Sequence, residues 1–217
     1  MVWPALKLSL LVAASATVLV TVAGTALGWL LARKSFRGRE ALDALLMLPL
    51  VLPPTVTGYY LIVLLGRRGA LGGPLHELTG LSIPFSWVAC VIAAAVVALP
   101  LMVRAARGAF ESVDDDLLLA AASLGHGPWT VFSRVAVPLA RRGLAVGVVL
   151  GFARAIGEFG ATLLLAGNIA GRTQTLPLAI YEALLTGDDR TALTLSVVLT
   201  AVSLAAMAFL ARLGRHR

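Results

Sequence analysis

The chain has 217 residues, of which 59% are hydrophobic and 13% charged, with a mean hydropathy of +0.92. Soluble domains carry about 45–50% apolar and about 25% charged residues, so the polar groups here are too few to cover a water-exposed globule of this size. The net charge of +7, from 18 Lys and Arg against 11 Asp and Glu, would point to nucleic acid in a soluble protein; in a membrane protein it marks the loops held on the cytoplasmic side instead. The length suits one domain over 1–217, and the single Cys90 in its apolar run excludes an intramolecular disulfide.

A helix needs about 20 mostly apolar residues to cross the hydrocarbon of a bilayer. Five segments qualify, at 6–32, 44–65, 86–106, 144–166 and 191–213, and 176–185 is a candidate for a short sixth helix. The first contains Ala14-Ser15-Ala16, which resembles a signal cleavage site, but its apolar run is too long for a signal peptide and it reads as a retained span. Within it Thr17, Thr21 and Thr25 share one helical face, read as a packing seam rather than a substrate path. Arg33, Lys34, Arg37 and Arg39 follow the first span, Arg104, Arg107, Arg134, Arg141 and Arg142 lie between the third and fourth, and Arg212, Arg215 and Arg217 follow the fifth. Lys7, Arg67, Arg68, Arg172 and Arg190 lie on the other side. The bias predicts an N-terminus outside and a C-terminus inside.

The second segment carries Pro49 and the pair Pro53-Pro54, followed by Thr55, Thr57 and Gly58. Each proline removes a backbone donor and clashes with the preceding turn, which leaves open a kinked packing helix or a flexible pore-lining one.

The loop at about 107–142 is the most informative stretch. Asp114, Asp115 and Asp116 suit a helix N-terminus, where side-chain oxygens cap free N–H groups and negative charge meets the dipole. No further ligand completes a metal site around them. Residues 117–124 then form a short Ala- and Leu-rich helix, ended by Gly125 and Gly127, with Pro128 opening a second turn. Leu117, Leu118, Leu119, Trp129 and Phe132 are apolar anchors in a loop with no lipid to face, which implies a partner.

These residues resemble the cytoplasmic Glu-Ala-Ala-x3-Gly-x9-Ile-x-Leu-Pro motif of ABC importer permeases. Ala120 and Ala121 take the two Ala positions, Gly125 the Gly, Val135 the Ile, Val137 the Leu and Pro138 the Pro, while Leu119 stands where the family has Glu. The resemblance implies an all-α bundle of type I importer architecture with about five, at most six, spans. Its loop would be a coupling helix docked on an ATP-binding subunit through Asp115, Asp116, Leu119, Ala120, Ala121, Leu124, Gly125, Pro128, Trp129, Phe132 and Pro138.

In the fourth segment Arg154 and Glu158 are spaced to pair along one helical face, either locking that span to a neighbour or bordering the translocation path. The runs Gly157-Glu158-Phe159-Gly160-Ala161-Thr162 and Gly167-Asn168-Ile169 resemble the sulfate/molybdate permease subfamily. Thr173-Gln174-Thr175-Leu176-Pro177, with Leu52-Pro53-Pro54-Thr55-Val56-Thr57-Gly58, is closer to its molybdate branch.

The resemblance implies import of molybdate across the inner membrane of a prokaryote by alternating access, with sulfate or tungstate as rival cargoes. Implied partners are a second copy of the chain, two cytoplasmic ABC ATP-binding subunits, an external molybdate-binding protein and membrane lipid, and no nucleic acid. For a tetrahedral dianion, hydroxyls, amides and one cation make a suitable lining: Thr55, Thr57, Thr162, Asn168 and Thr173, with Arg154 and Glu158.

No G-x-x-x-x-G-K-[ST] loop is present, so the chain cannot bind ATP by that route; the resemblance implies that ATP and Mg are used by the partner subunit and that this chain binds no cofactor. His76, His126 and His216 are isolated, giving no metal site, and no nucleophile–base pair gives a catalytic one. A stand-alone secondary transporter is disfavoured by the absence of a detectable internal repeat. An intramembrane enzyme is disfavoured because the Asp cluster and Glu158 lie apart.

Overall fold

The computed structural model describes residues 2–215; His216 and Arg217 lie outside them. The described residues form helices joined by loops and turns, with no strand. The helices are α1 (Val2–Arg33), α2 (Arg39–Val51), α3 (Pro54–Leu65), α4 (Gly72–Thr79), α5 (Trp87–Glu111), α6 (Asp115–Ser123), α7 (Pro128–Val131), α8 (Val137–Ile156), α9 (Gly160–Ala166), α10 (Leu176–Leu185) and α11 (Asp189–Arg215), with a π-helical turn at Phe132–Ala136 joining α7 to α8. Four stretches are long and apolar enough to cross a membrane: Trp3–Arg33, Trp87–Glu111, Pro128–Ile156 and Asp189–Phe209. The expected fifth is met only by α2 and α3 together, and the short helix at Leu176–Leu185 is present.

Helix α5 is the centre of the bundle, its Ala89, Ala93, Ala94, Val97, Met102 and Ala106 fully or almost fully buried. Small residues let its neighbours approach closely, since helices in lipid associate through packing rather than hydrophobic exclusion. On α1, a Cβ placed on Gly28 would lie 2.5 Å from Ala106 Cβ and 2.9 Å from the Arg107 backbone nitrogen. On α8, one on Gly143 would lie 2.5 Å from Ala109 Cβ. The packing seam of α1 therefore runs along Ala13, Ala16, Val20, Gly24 and Gly28. The row of Thr17, Thr21 and Thr25 lies one residue further round. Thr17 donates to the Ala13 carbonyl of its own helix at 2.7 Å, and Thr17 and Thr21 border an apolar groove of about 470 Å³ shared with Val148, Phe152, Ala206 and Phe209.

Two expected spans are broken. The 44–65 segment is two helices whose axes meet at 117°. Leu52 before Pro53 is extended, as the proline ring demands, and Pro54 restarts the chain as the first residue of α3, where its missing N–H costs nothing. The 144–166 segment is likewise not one span. The apolar helix begins earlier, at Pro128, and stops at Ile156; Gly157, Glu158 and Phe159 are non-helical, and α9 starts afresh at Gly160. Arg134, Arg141 and Arg142 are exposed on the early part of this span, and long cationic side chains extend to water there at little cost.

Candidate functional site

The loop between α5 and α8 folds as its residues dictate. Asp114 is the N-cap of α6 and its carboxylate accepts from the Asp116 N–H at 2.9 Å. Asp115 and Asp116 fill the first turn, where negative charge opposes the helix dipole. Gly125 stops the helix in the left-handed region at φ +84°, a conformation L side chains rarely adopt, and Gly127 caps α7 with Pro128 at its first position. Ala121, Val131 and Ala136 turn inward, and Leu118 and Phe132 are half-buried against the core. Leu119, Leu124 and Trp129 are 63%, 79% and 74% exposed, so each presents apolar surface to its surroundings outside the core.

The loop is held to the bundle by residues the sequence offered only as charge and hydropathy. Trp29 of α1 packs edge-on against Phe110 at 5.1 Å and against Phe132 at 5.3 Å, and Phe132 stacks on Trp129 at 5.5 Å. Arg33 pairs with Asp115 and donates to the carbonyls of Phe110 and Val113. A second set of charges ties α2 to α5: Arg107 binds Asp43 and Glu111, each at 2.8 Å.

The second candidate region is where the two helix breaks meet. A Cβ on Gly160 would lie 3.0 Å from Pro54 Cβ and 3.3 Å from the Thr55 nitrogen, and one on Gly58 would lie 2.8 Å from Ala161 Cα. The break before α3 thus rests on the break before α9. Arg154 and Glu158 do pair, at 2.7 Å, but not along one helix. Arg154 is in the last turn of α8, whereas Glu158 lies beyond it, 3% exposed, with its Oε1 accepting the Ala161 N–H at 2.8 Å. One buried carboxylate therefore neutralises the arginine and caps α9 at once. Exposed Thr55 lies at the same joint, while Thr57 and Thr162 are buried.

Asn168 and Thr173 belong elsewhere. Thr173 is fully buried, donating to the Gly167 carbonyl and accepting the Ile169 N–H, each at 3.0 Å, so it fixes the loop after α9. Asn168 donates at 2.9 Å to Glu182 of α10, which also accepts from Gln174; Glu182 carries no signal in the sequence. The expected lining residues are thus divided between the helix joint and this loop. Among the described residues no group of three His, Cys, Asp or Glu side chains is placed to hold a metal ion.

The described residues thus form a bundle of apolar, partly broken helices with a helical loop between α5 and α8. The model of the family "binding-protein-dependent transport system inner membrane component" matches residues 24–216, and the chain belongs to that family. It is 46% identical to the molybdenum transport system permease protein ModB of Escherichia coli K12 over 219 aligned residues, covering 99% of this chain and 96% of that protein. It is 44% identical to the putative molybdenum transport system permease protein YvgM of Bacillus subtilis 168, with 96% and 92% covered. Among solved structures, a bacterial ABC transporter importing the acidic polysaccharide alginate superposes with a TM-score of 0.77 at 15% identity, covering 98% of this chain and 78% of that one. An amino acid ABC transporter superposes at 0.60 with 16% identity, covering 97% and 89%. The fold is that of ABC importer permeases.

Proposed function

We propose that this chain is the membrane-spanning permease subunit of an ATP-driven importer of molybdate. The observation that carries the reading is identity above 40% over nearly the full length of several molybdenum transport permeases. In this reading two copies enclose the path, with each N-terminus outside and each C-terminus inside. Two ABC subunits bind ATP and Mg on the cytoplasmic side, and an external binding protein delivers the anion. Leu119, Leu124 and Trp129 form the docking surface, where exposed apolar side chains outside the bilayer need a partner. The absent motif glutamate at Leu119 leaves that contact to these side chains and to Asp116.

Closure of the ATPase pair displaces the loop, and the bundle shifts between two packings because each nucleotide state of the partner binds one of them better. The joint of the helix breaks is the proposed gate. Thr55 and Arg154 offer a hydroxyl and a cation to a passing dianion, and Glu158 keeps that cation from binding it tightly. Weak binding suits a conduit, since the anion must also leave. No catalytic group is assigned to this chain, whose hydrolytic energy comes from the partner.

The test is ATPase stimulation in vesicles holding this chain and its ATP-binding subunit. Molybdate-loaded binding protein is expected to stimulate hydrolysis more than sulfate-loaded protein. Greater stimulation by sulfate would keep the importer and overturn the cargo; no stimulation by either would overturn both.

A further inference from the structure

The structure assigns Arg33 the role of a latch that makes α1 and the loop between α5 and α8 move as one body, a positioning role in coupling hydrolysis to transport. The inference rests on the reading of that loop as the ATPase-facing element.

Arg33 is the last residue of α1, and a cation at a helix C-terminus ordinarily extends into water; here its side chain is only 14% exposed. Nη2 donates at 2.6 Å to the carbonyl of Phe110 in the last turn of α5 and also to that of Val113 in the connection to α6, while Nη1 pairs with Asp115 in the first turn of α6. A single planar guanidinium thus bridges two elements about eighty residues away. An ammonium lacks this forked geometry. One helical turn earlier, Trp29 packs against Phe110 on one leg of the loop and Phe132 on the other, 5.1 and 5.3 Å between ring centroids. Phe132 in turn carries the exposed Trp129.

The covalent chain joins the loop only to α5 and α8. The latch adds α1, which packs along α5 through Gly24 and Gly28. A push on Trp129 then reaches α1 through Phe132 and Trp29, and one on α6 reaches it through Asp115 and Arg33. Coupling of this kind travels through packed side chains and charged hydrogen bonds that link rigid elements.

The test uses the complete complex in vesicles. Arg33→Gln is expected to keep ATPase co-purification and ATP hydrolysis at wild-type levels, and to lower the anion imported per ATP hydrolysed by about tenfold, with Arg33→Lys between the two. An unchanged ratio overturns the latch. Loss of ATPase co-purification overturns it too, because Arg33 would then only shape the docking face. A second measurement places spin labels on Ala26→Cys and Ser123→Cys in a Cys90→Ser background. Their separation is expected to stay constant on ATP addition with Arg33 present and to change in Arg33→Gln; the same behaviour in both overturns the latch. Trp129→Ala keeps the two readings apart. If it leaves ATPase binding intact, the loop assignment itself fails; if it abolishes binding while Arg33→Gln keeps the wild-type ratio, only the latch fails.

Discussion

Truncating Trp129 to alanine is expected to strip the ATP-binding subunit from the purified complex while leaving the permease folded. The indole is mostly exposed and touches its own chain chiefly through Phe132, so its removal opens no cavity in the bundle. An exposed tryptophan is a typical anchor of an interface, and losing such an anchor costs about 2–4 kcal/mol of binding, or about 30- to 1,000-fold in affinity. Leu124→Asp, on the most exposed apolar position of α6's C-terminal end, is expected to act in the same direction by placing a charge in the contact. The check is the dissociation constant of the ATPase from detergent-solubilised permease, with a thermal unfolding midpoint measured alongside. Unchanged affinity in both variants would move the docking surface away from this loop.

The second large effect is expected at Glu158. Replacing it with alanine strands Arg154 without its counter-charge and leaves the Ala161 N–H without the acceptor that caps α9. Breaking a buried pair by removing one partner costs about 3–5 kcal/mol, because the remaining charge is left uncompensated. Arg154 retains partial access to solvent, which places the expected cost at the lower end. Glu158→Gln keeps an acceptor for Ala161 and loses only the charge, so it is expected to lie between wild type and Glu158→Ala in thermal midpoint. Both variants are expected to lose most uptake, since the joint they support holds the two helix breaks together. A midpoint unchanged by Glu158→Ala would show that the carboxylate contributes nothing to the joint.

The parts of this molecule that were legible in the sequence are those governed by neighbours in the chain. The Asp114 cap, the stop at Gly125 and the restart at Pro128 follow from local hydrogen-bond and dihedral rules, and all three stand in the structure. The short helix at Leu176–Leu185 is visible in the sequence as a short apolar run, and the structure starts it with Pro177 in its first turn. What stayed hidden depends on distant contacts. Pro53-Pro54 announces a break, yet the 117° angle is set by α3 lying against α9, where Gly58 meets Ala161. Hydropathy alone joins α8 and α9 into one span, because a short non-helical link of three residues, Gly157 to Phe159, scarcely changes a 20-residue average. In the sequence Arg33 is one more basic residue after the first span, and Trp29 one more apolar residue within it. Their joint role exists only because the far end of α5 is folded against them. The threonine row shows the same limit: Thr17 is buried, while the smaller Ala and Gly residues one position away make the closer contact with α5.

The most direct test of the account is uptake of molybdate by proteoliposomes that contain this chain, its ATP-binding subunit and the external binding protein. Accumulation is expected to require ATP, to persist when ion gradients are collapsed, and to resist an excess of sulfate. Uptake that follows an ion gradient without the ATPase, or that sulfate abolishes at equal concentration, would contradict it.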